Sequence, residues 1–314
     1  MAANQSAAAK RKVYSRYSSP ADRIFDTLNV IALCFLMFVT LYPFINMLAV
    51  SLNDAGDSIR GNIYFWPRIF TWDNYRFVFK QSEIFHATLI SVARAVVGSL
   101  VPVFCTAMVA YTISRPEFVL RKFVTIAFVL TMYIDPGLIP SYLLIRDLHL
   151  IGTFWVYIVP GLVYAFNLIL IRSFIEGLPE GILESARIDG AGEFKTFTKI
   201  VLPLCVPALA TVGLFNAVYQ WNDWIAVFLY NSSHQELSTL QFELMKMLAN
   251  TNSSSSSGSL ASSAAAGSAA AANNLTPTAL RATMTIVASV PIICVYPFLQ
   301  KYFVKGMTLG GVKG

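Results

Sequence analysis

Six stretches of this chain, at about residues 25–50, 87–113, 121–144, 153–174, 203–229 and 283–304, are long and apolar enough to be membrane helices, since about 30 Å of hydrocarbon takes roughly 20 helical residues. This feature constrains the fold more than any other. In hydrocarbon every backbone N–H and C=O needs a partner within the protein, and separate apolar stretches of this length meet that need as helices. Of the 314 residues, 56% are hydrophobic and 13% charged, with a mean hydropathy of +0.59, outside the range of a single soluble core. The expected class is an all-α polytopic membrane protein with six transmembrane helices. The first stretch is not expected to be a cleaved signal peptide, because its apolar run from Val30 to Val50 is too long and no small-residue cleavage site follows it.

Six crossings bring both termini to one side. With the N-terminus inside, 15 Lys and Arg residues lie in inner flanks and loops, including Arg115, Lys122, Arg172, Lys199 and Lys301, against seven outside, including Arg60, Arg146 and Arg281. Positive charge marks the cytoplasmic side, so both termini are expected there. The expected division is a cytoplasmic segment 1–24, a membrane domain 25–304 and a cytoplasmic tail 305–314, with an inner loop at 175–203 and outer loops at 51–86 and 230–282. The pI near 9.1 reflects charge sorted by membrane side, not a basic stripe, which argues against nucleic acid and for lipid as the surroundings. Loop 51–86 carries Trp66, Trp72, Tyr75 and Phe79 and reads as an interfacial segment. Stretch 250–274 is Ser- and Ala-rich and reads as a flexible outer loop. Cys34, Cys105, Cys205 and Cys294 lie singly in apolar segments as packing residues, and His86, His149 and His234 are isolated, so no metal set is expected.

One inner loop interrupts the apolar sequence with Glu184-Ser185-Ala186-Arg187-Ile188-Asp189-Gly190 and, after nine more residues, Ile200-Val201-Leu202-Pro203. Leu178-Pro179-Glu180 supplies a helix start. Gly190 suits the left-handed residue that ends a helix, and a second helix is expected from about Ala191 toward Leu202. Pro203 and Pro207 mark the entry to the fifth span. A short surface helix with small residues at Ser185 and Ala186 can enter a cleft on a partner, with Glu184, Arg187 and Asp189 as charges at its rim. A solvated connecting loop would explain any one of these elements, but not their joint spacing. The neighbouring Gly190-Ala191-Gly192-Glu193-Phe194-Lys195-Thr196 is not a phosphate loop, which needs Gly directly before Lys. ATP hydrolysis would therefore belong to a separate subunit.

The pattern Glu-Ala-Ala, three residues, Gly, nine residues, Ile-x-Leu-Pro, with Ser185 replacing one alanine, resembles the coupling loop of importer-type ATP-binding cassette (ABC) permeases. The rest of the chain resembles carbohydrate permeases of the maltose-permease type. Ala110-Tyr111-Thr112-Ile113-Ser114-Arg115 is similar to a helix end in that family. Gly137-Leu138-Ile139-Pro140-Ser141-Tyr142-Leu143 and the ending from Tyr296 to Gly306 with Gly311 to Gly314 are similar to a branch importing oligosaccharides from complex polysaccharides such as pectin or rhamnogalacturonan. The resemblance implies a type I importer architecture in the bacterial cytoplasmic membrane, and a non-catalytic chain that binds no cofactor. It further implies one half of a permease heterodimer, two copies of a cytoplasmic ATPase holding ATP and Mg, and an extracellular lipid-anchored solute-binding protein. The helix around Glu184 would dock on one ATPase.

Cargo residues are sought among polar groups inside spans, which face the bundle or a wet cavity. Asn216, Tyr219, Gln220 and Asp223 recur at i, i+3, i+4 and i+7, one helix face. Trp221, Asn222 and Trp224 lie close by, and aromatic rings beside amides and carboxylates suit sugars. Asn167 with Tyr164, and Tyr133, Asp135 and Tyr142, are further candidates. The alternatives are helix-to-helix hydrogen bonds and interfacial tryptophan anchors. Arg94, within the second span, is expected to pair with Asp223 or Asp135 or to meet an acidic sugar. A secondary transporter driven by ions through Asp135, Arg94 and Asp223 is the alternative function, and an enzyme lacks a nucleophile-base set.

Overall fold

The structure is a computed structural model that describes residues 20–256 and 276–311. The basic N-terminal stretch before residue 20, the Ser/Ala-rich stretch 257–275 and the last three residues lie outside the described residues. The described residues are mostly helical, with no strand among them and one isolated bridge, Asn53 to Phe70. The chain divides into two compact units, one holding described residues 20–74 and 276–286 and the other 75–256 and 287–311.

The first unit is led by α1, Pro20–Ser51. Large apolar side chains stand outward on all its sides, among them Phe25, Phe35 and Phe38. A helix apolar all round is a membrane helix or a deeply buried one, and this one is not buried. Beyond it Asp54 caps the single turn Ala55–Ser58 by accepting from the Asp57 amide at 3.0 Å.

The second unit is built around α2, Ser82–Ser114. Its buried positions include Ala87, Ser91, Arg94, Gly98, Pro102, Thr106, Ala110 and Ser114, mostly four apart and mostly small. Such a stripe lets neighbouring helices approach closely. Along it pack α5, Ala165–Glu176, and α8, Val206–Asn222. The intervening elements are α3, Arg121–Thr131, and α4, Leu138–Asp147. Next come α6, Glu180–Ile188, and α7, which runs through Glu193–Thr196, a π turn at Phe197–Val201, and Leu202–Leu204. After α8 follow α9, Ile225–Tyr230, α10, Leu240–Ser256, and α11, Pro277–Gly311. Ala107, Tyr111, Leu168, Ile171, Phe197 and Val212 share one buried cluster, and Ile145, Tyr157, Ile158, Val227 and Phe242 another.

Among the described residues three helices are long and apolar enough to cross a membrane unaided, Pro20–Ser51, Ser82–Ser114 and the Pro277–Cys294 part of α11, and two bent pairs raise the number to as many as five. Phe154–Gly161 meets α5 at 53°, and α7 meets α8 at 80°. Three of the expected spans are thus interrupted, and polar or proline residues explain where. In 121–144 the break is Asp135-Pro136-Gly137: proline disfavours helix at the residue before it, Gly137 takes φ 81°, and its amide donates to Asp135 Oδ1 at 2.9 Å. Pro160 and Gly161 lie in the 3-10 turns that precede α5. Between α8 and α9 the break is Asp223, whose Oδ1 accepts from the Ile225 amide at 3.0 Å. Ahead of Pro203 the Leu202 amide reaches five residues back to the Phe197 carbonyl, the wide turn that relieves a proline ring in a helix.

Candidate functional site

The loop from Leu178 to Pro203 has the expected form of helix, glycine bend and helix. Pro179 stands at the N-cap of α6. At the other end the Gly190 amide donates to the Arg187 carbonyl and the Ala191 amide to the Ala186 carbonyl, both at 3.0 Å. This pair of bonds closes the helix with Gly190 as its left-handed residue, φ 73°. Glu184, Ser185, Arg187, Ile188 and Asp189 are exposed. Ile188, at 80% exposure, and Phe194, at 67%, stand out as apolar side chains on this loop.

One expectation is corrected by burial. Ala186 is buried with Leu183 against the chain's own core, so its small size serves packing within this chain and not entry into a partner. Arg187, exposed at the rim as expected, also pairs within the chain: Nη1 donates to Glu117 at 2.6 Å and Nη2 to Glu193 at 3.5 Å. Glu193 also accepts from the Tyr111 hydroxyl at 2.5 Å, and the Arg115 guanidinium lies 4.6 Å over the Tyr111 ring. A cavity of about 470 Å³ lies among these residues. The hydrogen bond from Arg187 is the main cause that holds Glu117 below the usual carboxylate range, and Glu117 in turn raises Arg187. Tyr111 sits in a motif quoted only for its resemblance, and Glu193 in the rejected phosphate-loop stretch, so neither was expected as a coupling-loop contact. Leu202 is half-buried against the core and Pro203 exposed.

The second constellation lies where α8 breaks. Arg94, 1% exposed, donates from Nε to Gln220 Oε1 and from Nη1 to the Asp223 carbonyl, both at 2.7 Å, and from Nη2 to Asp223 Oδ2. Its guanidinium lies 4.4 Å over the Tyr157 ring. Gln220 is held from its other end, Nε2 donating to the Tyr157 carbonyl at 2.9 Å. Of the partners left open for Arg94, the structure selects Asp223. Asp135 is exposed and serves the turn at Gly137.

The expected polar face of α8 is therefore divided. Asn216, Gln220 and Asp223 turn inward, and Asn216 Oδ1 accepts from Asn167 Nδ2 at 2.9 Å, tying α8 to α5. Asn216 Nδ2 is buried without a hydrogen-bond partner among the described residues. Tyr219, 53% exposed, faces Tyr164 with ring centroids 6.1 Å apart. Asn222 is exposed and donates to the Val218 carbonyl. Trp224 is half-buried against Phe228. Trp221 departs from the others: its Nε1 donates to the Ala288 carbonyl at 3.0 Å, and it lines an apolar groove of about 380 Å³ with Val92, Val96, Leu214 and Pro291. It packs against α11, away from the inward polar groups. Tyr142 and Tyr230, stacked at 5.9 Å, add a ring pair in the same unit; Tyr230 was not foreseen, because it lies outside the i, i+3, i+4 pattern of α8.

Residues 90–309 match the family described as binding-protein-dependent transport system inner membrane component. The chain belongs to that family. The permease is 32% identical over 308 residues to the protein LplC of Bacillus subtilis (strain 168), covering 96% of this chain and 99% of that one. It is 33% identical over 295 residues to the polygalacturonan/rhamnogalacturonan transport system permease protein YtcP of the same organism, covering 93% and 99%. Its fold matches, with a TM-score of 0.82 and 27% identity over 91% of this chain and 99% of that one, a chain in the crystal structure of a bacterial ABC transporter involved in the import of the acidic polysaccharide alginate. The permease is thus a membrane component of a binding-protein-dependent ABC importer, as the Glu184 to Pro203 motif implied.

Proposed function

We propose that this permease conducts oligosaccharides derived from complex polysaccharides, and that α6 is the helix through which a separate ATPase drives it. The observation that carries the reading is α6 itself: a helix closed by Gly190, fixed to the bundle by Leu183 and Ala186, with Glu184, Ser185, Ile188 and Asp189 left outward. Such a helix is rigid on its inner side and uncommitted on its outer side. The Arg187 pair with Glu117 and the Tyr111 bond to Glu193 join it to the end of α2. A push on α6 then reaches Arg94 along α2, about 25 Å away over 17 residues. The names of the relatives support an oligosaccharide cargo, and so do the exposed rings of Tyr164 and Tyr219, which suit sugar faces.

The assembly proposed is a heterodimer of this chain with a second permease, two ATPase copies carrying ATP and Mg, and an extracellular lipid-anchored solute-binding protein. The chain itself holds no cofactor. It crosses the cytoplasmic membrane six times, the two arms around Pro136 counting as one broken crossing, with both termini inside. Alternation between inward-facing and outward-facing states follows closure of the ATPase pair. Ion coupling through Arg94, Asp223 and Asp135 has no support in their contacts, since the first two hold each other and the third caps a turn.

The test is uptake of labelled oligogalacturonide or rhamnogalacturonan fragments into membrane vesicles. Uptake that needs internal ATP and the co-expressed ATPase, and that is lost in Glu184→Ala while the subunits are still inserted, is the expected result. Uptake that persists without the ATPase and collapses with an ionophore would refute it.

A further inference from the structure

At 1.5 Å per residue α1 is about 48 Å long, while the hydrocarbon core measures about 30 Å and the whole bilayer 40–45 Å. A helix longer than the hydrocarbon brings its ends to the headgroups, and the polar run Ser51, Asn53 and Asp54 that closes the apolar stretch marks the Ser51 end as one of them, with Asn46 little more than a turn before it. After Ser51 the chain folds back on its own helix. Gly61 and Asn62, at φ 67° and 58°, are consecutive left-handed residues that reverse the backbone. The next residues run alongside α1: Asn46 Nδ2 donates to the carbonyls of Ile63 at 2.6 Å and Tyr64 at 3.2 Å. The Phe65 ring lies 5.3 Å from that of Tyr42 and 6.2 Å from that of Phe38.

The return limb is clamped where it leaves. The Ile69 amide donates to Asn53 Oδ1 at 2.9 Å, and the Asp54 amide donates to the Ile69 carbonyl at 2.8 Å. Buried Asn74 ties the carbonyls of Ser51 and Asn53 together, each at 2.9 Å. Arg68 turns inward, to Asp57 at 2.9 Å and to the Gly61 carbonyl at 2.8 Å. Hydrogen bonds from Asn53, and then from Arg68, hold the Asp57 carboxyl below its usual range. Much of the polar equipment of the loop is thus bonded within it, and beside the exposed Arg60, Asn62 and Arg68, whose polar ends suit headgroups, a set of large apolar side chains faces outward. Ile59 is 74% exposed, Trp66 83%, Phe70 57% and Trp72 53%.

We propose that residues 59–72 form a lipid-seated hook, lodged among the headgroups of the leaflet at the Ser51 end of α1, which pins that end of the helix at a fixed depth. Asn46 satisfies the backbone at the level where the hook is deepest, so only the Phe65 side chain need reach hydrocarbon. Trp66 and Trp72 have the amphipathic rings that concentrate at a membrane interface. The occupant is lipid because α1 sets the depth of the hook, and that depth is the interface. The inference needs α1 to cross the bilayer and is independent of the cargo.

Tryptophan quenching tests it in the importer purified with its partner subunits and reconstituted in phosphatidylcholine vesicles. The emission difference between the wild type and Trp66→Phe, and separately Trp72→Phe, isolates each ring. Both rings are largely exposed, so the variants should fold. The expected result is that the difference emission loses most of its intensity in lipid brominated near the carbonyl end of the acyl chains, and little of it to aqueous iodide. Quenching by iodide and not by bromolipid would place the loop in water and overturn the proposal. Protection from both quenchers would show a protein partner over it and overturn it equally.

Discussion

Arg94 and Asp223, 129 residues apart in sequence, form an ion pair across α2 and the break after α8, and their burial is unequal: the side chains are 1% and 13% exposed. Breaking a buried pair by removing one partner costs about 3–5 kcal/mol, because it leaves an uncompensated charge. Which partner is removed should therefore matter. Asp223→Ala strands a guanidinium that cannot reach water, and it also removes the acceptor of the Ile225 amide. Arg94→Met leaves a carboxylate nearer the surface. We expect the larger loss, at the upper end of that range, for Asp223→Ala, read as the shift in unfolding midpoint of the purified complex. Equal losses, or the reverse order, would contradict this account.

Gly98 is the position on α2 where a side chain has no room. A Cβ there would lie 2.8 Å from Gln220 Cδ and 2.9 Å from Nε2. Gln220 is not free to swing aside, since it accepts from Arg94 and donates to the Tyr157 carbonyl. Gly98→Ala should destabilise by about 1–3 kcal/mol through overpacking. Gln220→Ala should be harmful alone and much less so in the Gly98→Ala background, because the clash and the bonds it disrupts are then both gone. A double-mutant cycle on the same unfolding midpoints measures the coupling, and strict additivity would count against the contact.

The residues just discussed show what a sequence of this kind reveals and what it conceals. Helix type and approximate extent follow from apolar length, a local property, and α1 and α2 were foreseen on that basis. The breaks were also encoded locally, in Asp135-Pro136-Gly137 and Pro160-Gly161, but apolar length alone obscured them. The bend at Gly190 was legible because only a residue tolerant of positive φ ends a helix in that way. Pairing was less legible. Three partners were open to Arg94, and choosing Asp223 required knowing how α2 and α8 face each other. Ala186 was read by size, which cannot tell a cleft in a partner from a close approach at home. Trp221 was read by its neighbours in sequence, although one step along a helix turns a side chain by about 100°.

The pair of Arg187 and Glu117 sets an expectation for pH. Glu117 is held below its ordinary value of 4.5, first by the hydrogen bond from Arg187. A carboxylate with a depressed folded-state pKa contributes stability that is present above its unfolded value and lost as pH falls through the folded one. The tether of α6 to the loop after α2 should therefore be constant from neutrality down to about 4.5 and weaken only below it. Both groups are exposed, so the contribution is small. In Glu117→Gln the neutral-pH advantage should be missing, and the unfolding midpoints of wild type and variant should converge in acid. A difference that instead grows as pH falls would reverse the sign.

Gly190 separates the role of α6 as a lever from its role in folding. Nothing lies within 4 Å of where its Cβ would stand, and φ is 73°, so a substitution costs only the left-handed conformation, about 1–2 kcal/mol for an ordinary residue. Asparagine tolerates that region better than alanine, and a β-branched side chain tolerates it least. Loss of function should therefore follow the order Gly190→Asn, Gly190→Ala, Gly190→Val, with the subunits still inserted in the membrane. If α6 is the lever, ATPase activity stimulated by the loaded solute-binding protein should fall in that order while basal hydrolysis by the ATPase persists. Unchanged stimulation in Gly190→Val would mean that the bend has no part in coupling. Loss of the subunit from the membrane in all three would mean that it acts in folding alone.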